Sequence, residues 1–127
     1  VSENETADAE ARPLSEQTAA EAFECSKDLI EKLREKHGEI EVVFQRGCGI
    51  IVVATPAKKD FRVFQDAINN EKVSRNIAGE NLALASAVYP DRETLKQYFD
   101  KKPGLPTKVA NLAQLLSGAD ADVLGKD

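Results

Sequence analysis

The sequence predicts an α+β fold, mainly helical, with an N-terminal helix, one β-hairpin at about residues 40–54, and about four C-terminal helices on which the hairpin packs. Three observations lead there. "IEVVFQRGCGIIVVA" is rich in Val, Ile and Phe and is interrupted by a glycine-flanked turn. Elsewhere the apolar residues recur three and four positions apart, as one face of a helix requires. Between those stretches stand Thr, Pro, Asp and Gly in the places where helices start and stop. The 127 residues suit one domain with a modest core.

The elements follow in order. Residues 1–17 carry few large apolar groups and no periodicity, and read as a disordered acidic leader. Thr18 and Glu21 have capping-box spacing, and Ala22, Phe23, Leu29, Ile30 and Leu33 continue an apolar stripe that ends at His37-Gly38. Ile40, Val42 and Phe44 alternate with Glu41, Val43 and Gln45, the pattern of a half-buried strand. Thr55-Pro56 reads as N-cap and first helical residue of a helix presenting Ala57, Phe61, Phe64 and Ile68 on one face. "RNIAGENLALASAVY", residues 75–89, is apolar or small nearly all round, which predicts a helix covered on several sides or partly covered by another subunit. Tyr89-Pro90-Asp91 reads as a joint between two helices, with Asp91 as N-cap of a helix facing inward through Leu95, Tyr98 and Phe99. After Pro103-Gly104, Val109, Leu112, Ala113 and Leu116 mark the last helix. The domain then spans 18–118, and 119–127 read as a flexible acidic tail.

Charge is unevenly placed. Seven acids against Arg12 give residues 1–24 a balance of −6, whereas residues 25–127, with sixteen basic and fifteen acidic groups, stand at +1. No cluster of Lys and Arg forms the footprint of a nucleic-acid binder. No apolar run has the length of a membrane span or the form of a signal peptide, so the expected location is cytoplasmic. Cys25 and Cys48 read as free thiols on the same grounds.

Candidate chemistry is thin. Cys48 lies between glycines, but no histidine or helix N-terminus stands where it would lower the thiol pKa, and the glycines serve the turn. His37, the one histidine, suits an exposed helix C-terminus. Two cysteines and one histidine do not supply the four ligands of a structural zinc site. The expectation is a protein that is not an enzyme, with no catalytic, metal or cofactor residues.

One resemblance rests on spacing and residue type. The order "TP-x(3)-D-F-x(2)-F" at Thr55–Phe64, "VYPD" at Val88–Asp91, "PGL" at Pro103–Leu105 and "LAQLLSGA" at Leu112–Ala119 resembles the small tail assembly chaperones of tailed bacteriophages, over roughly residues 40–119. The resemblance implies a non-catalytic role in tail morphogenesis: binding the tape-measure protein, keeping its helical segments soluble, and helping tail-tube subunits assemble. It also implies that some members are extended by frameshifting near the end of the short form. The alternative is a small regulatory or inhibitor protein that binds one host factor, its acidic leader contributing. For a helix-in-groove mode, Val63, Leu82, Leu84 and Leu115 are the candidate partner or subunit contacts, because they add apolar surface beside the main stripes.

Overall fold

The computed structural model describes residues 18–118; the predicted leader and tail lie outside the described residues. Within them the chain forms α1 (Ala19–Cys25), α2 (Lys27–His37), β1 (Ile40–Gln45), β2 (Gly49–Ala54), α3 (Lys58–Ile68), α4 (Arg75–Ser86), β3 (Ala87–Tyr89), α5 (Arg92–Lys101) and α6 (Leu105–Leu116). It is a mainly helical α+β fold.

The strands make an antiparallel sheet in the order β1-β2-β3. The hairpin register is unbroken, from Ile40 opposite Ala54 to Gln45 opposite Gly49. Its turn closes with the Cys48 N–H donating to the Gln45 carbonyl at 3.0 Å, and Gly47 and Gly49 both take positive φ, which explains the glycines there. β2 is central and buried along its whole length. Alternation sends Ile51 and Val53 into one core, with Val43, Phe64, Leu82, Leu95, Phe99, Leu105 and Val109. Ile50, Val52 and Ala54 go to the opposite face, with Ile40 and Ala22, flanked by half-buried Leu29, Ile30 and Leu33. A strand covered on both faces has no polar side, which is why "IIVVA" reads as a continuous apolar run. The sheet thus separates a thick layer, α3–α6, from a thin one, α1–α2.

Several expectations change at the joints. The N-terminal helix is two helices, broken at Ser26, whose N–H bonds the carbonyls of Ala22 and Glu24. Thr55-Pro56 does not begin α3: Pro56 is buried in the approach, Ala57 is still extended, and the helix starts at Lys58 without a side-chain cap. Residues 75–89 are not one helix, because α4 stops at Ser86 and Ala87–Tyr89 pair with Val52 and Val53 as β3, across a register shift. Tyr89-Pro90-Asp91 therefore joins a strand to a helix. Val43, expected on the open side of its strand, is buried because both faces of the sheet are covered.

Candidate protein-binding groove

Helix α3 places Asp60, Val63, Phe64 and Ala67 along one line, at i, i+3, i+4 and i+7, and α4 does the same with Ala78, Asn81, Leu82 and Ala85. The two lines face each other across an open groove of about 130 Å³. Small side chains make the space. Ala67, Ala78 and Ala85 hold the helix backbones close yet leave their seam unfilled, while Phe64 and Leu82 close the floor. Phe64 is steadied by Phe61, ring centroids 5.9 Å apart at 43°. Asp60 and Asn81 supply the polar lining. A dry cavity of ~150 Å³ takes a group the size of benzene. This groove therefore has room for one apolar side chain, with the rest of any partner lying across the rim.

The candidate residues separate clearly. Val63 is on the rim and 64% exposed; Leu82 is on the floor and 2% exposed. The groove brings these two together. Leu84 is half-buried against the main core, and Leu115, 48% exposed on α6, is not part of the groove lining. Asp60, Phe64, Ala67, Ala78, Asn81 and Ala85 are the groove residues the candidate set omits. For the three alanines the signal was the spacing of small residues, which reads equally as ordinary helix packing.

On the far side of Phe64, α3, α4 and α6 frame a second cleft of about 340 Å³. Gly79 and Ala110 form its waist, where a Cβ added to Gly79 would lie 3.8 Å from the Ala110 methyl. Arg75, Glu80, Asn111 and Gln114 make it far more polar than the first groove.

The residues weighed for chemistry lie elsewhere. Cys48 is fully buried under the hairpin turn, where burial pushes its thiol pKa up against the opposing pull of Lys101 and Lys102. That is the reverse of thiolate activation. Lys101 donates to the Gly47 carbonyl at 3.3 Å, so the basic end of α5 braces the turn. Burial also raises the Tyr98 phenol, with Cys48, Tyr89 and Asp91 adding to it. Asp91 is a cap: its carboxylate accepts from the Thr94 hydroxyl at 2.7 Å and from the Thr94 N–H at 3.2 Å, holding its pKa below the ordinary value. His37 is exposed at the end of α2, and Cys25 is exposed on α1. Among the described residues, no three His, Cys, Asp or Glu side chains converge as a metal would require, and no helix is long and apolar enough to cross a membrane.

No protein family and no curated protein matches the chain. Its fold is similar to the solved structure of an uncharacterised protein from Bacillus stearothermophilus, with a TM-score of 0.60 and 23% identity over 76% of this chain and 99% of that one. At that identity the likeness is one of fold alone.

Proposed function

We propose that the protein is a non-catalytic binding protein of the phage tail assembly chaperone kind, which holds an amphipathic helical segment of a tape-measure protein against the α3–α4 groove and works with tail-tube subunits in the host cytoplasm. The observation that carries the binding reading is the seam itself: two facing helical stripes, an apolar floor, and Val63 left 64% exposed at the rim. An amphipathic helix presents anchors at the same spacing, so one side chain enters the seam while its neighbours cover Val63 and Ala85. The spacing resemblance over residues 40–119 supplies the class of client. The small volume argues for a modest affinity, suited to a client that must later be released, because one buried aliphatic side chain contributes only about 1.5–3 kcal/mol.

The test is affinity capture with tagged protein in cells making the tail proteins, comparing the wild type with Val63→Asp. Val63 is too exposed for that change to unfold the domain, which circular dichroism checks. The expected result is recovery of a very long helical protein by the wild type and at least tenfold less by the variant. Equal capture by both removes the groove from the mechanism. Recovery of one host factor in place of tail proteins replaces the chaperone reading with the regulator reading.

A further inference from the structure

The two edges of the sheet differ in a way the groove does not explain. β3 is three residues long, enters through a register shift, and ends at Pro90; short length, irregularity and proline are the devices that stop an edge from pairing further. β1 has none of them. It is six residues of regular strand, "IEVVFQ", with one charge and no proline, and among the described residues no strand lies beyond it. Beside it Val42, Phe23 and Ile30 form a short apolar strip in an open groove that Glu24, Lys27, Glu31 and Arg34 also line, with Phe23 38% exposed.

We propose that β1 pairs antiparallel with β1 of a second copy of this chain, joining the two sheets into one of six strands about a twofold axis. Self-complementarity selects that occupant. Residues directly opposite in an antiparallel pair lie on the same face, so the twofold must set odd residues opposite odd and even opposite even. The register centred on Val43 meets this condition. It puts Val42 opposite the partner's Phe44, which extends the strip of Phe23 and Ile30, and Glu41 opposite the partner's Gln45. The two Glu41 carboxylates stay apart, each facing a neutral Gln45 rather than its own copy. Centring on Val42 instead sets Glu41 against an apolar valine. The inference does not depend on the α3–α4 groove, which lies on other elements.

The experiment uses the full chain in sedimentation velocity and in disulfide trapping. The wild type is expected to show a concentration-dependent dimer. Gln45→Lys, which faces the partner's Glu41, tightens it several-fold, and Gln45→Glu weakens it several-fold, each change acting twice per dimer. In a Cys25→Ser background, Glu41→Cys with Gln45→Cys gives a covalent dimer on mild oxidation, and either change alone does not. Within one strand those positions are ~13 Å apart, beyond the ~7 Å reach of a disulfide, so the bond forms only between chains. A wild type that stays monomeric at all concentrations overturns the proposal. So does a dimer indifferent to Gln45 that the double cysteine variant fails to trap.

Discussion

The two layers on either side of β2 are built from similar helices and hold the sheet very differently. On the α3–α6 side, Phe64, Leu82, Leu95, Phe99, Leu105 and Val109 are buried together with Ile51 and Val53. On the other side α2 buries none of its eleven residues, and Leu29, Ile30 and Leu33 only lean on Ile50 and Val52. Both layers are amphipathic in sequence. The difference is that the thick layer packs helix on helix as well as helix on sheet, so its apolar side chains are enclosed from several directions. A single tier of helix on a narrow sheet leaves its own apolar edge in water. The thin layer is accordingly where local opening should begin.

Matched truncations test that contrast most directly. Leu95→Ala removes a fully enclosed side chain and should cost about 2–5 kcal/mol in denaturant unfolding. Leu33→Ala, at a half-buried site on α2, should cost about 1 kcal/mol, because less apolar area leaves the protein's interior. Equal costs would mean that α1–α2 is part of the same cooperative core. A smaller effect of opposite sign is expected at Gly79. A methyl there would sit in ordinary contact with Ala110 and remove a glycine from a helix interior, so Gly79→Ala should stabilise the thick layer by about 0.5–1 kcal/mol. A loss of stability would show that the α4–α6 seam has no room to spare.

What could be read ahead of the structure was the chemistry that neighbours in sequence settle between themselves. The Gly-Cys-Gly turn, the Asp91 cap and the Thr18 cap, which accepts from the Glu21 N–H at 3.2 Å, each depend on residues within four positions. β3 was out of reach because three residues carry no periodicity, and Ala87-Val88-Tyr89 become a strand only by pairing with Val52 and Val53. The start of α3 was misplaced because Thr55-Pro56 has good capping chemistry locally, yet burial of Pro56 takes precedence. Of the candidate set, Val63 lies at the rim of the groove and Leu82 on its floor, while the extent of the groove was not legible. Whether Ala67, Ala78 and Ala85 leave a gap depends on how close α3 and α4 approach, which composition does not fix.

The caps offer the finest division between the layers, because one titrates and carries a helix of the thick layer. The Asp91 carboxylate accepts the hydroxyl and the N–H of Thr94, so its pKa lies lower folded than unfolded. A lowered carboxylate stabilises the fold above its unfolded pKa, near 3.9, and that contribution is lost as pH falls through the folded value. Asp91→Asn keeps a good capping residue but removes the titration. Its unfolding midpoint should therefore fall less steeply than that of the wild type below roughly pH 4, with the two curves running parallel above pH 6. Identical acid slopes would mean that the Asp91–Thr94 bonds persist when the carboxyl is protonated, and that the start of α5 is held by Leu95 and the core beneath it rather than by its cap.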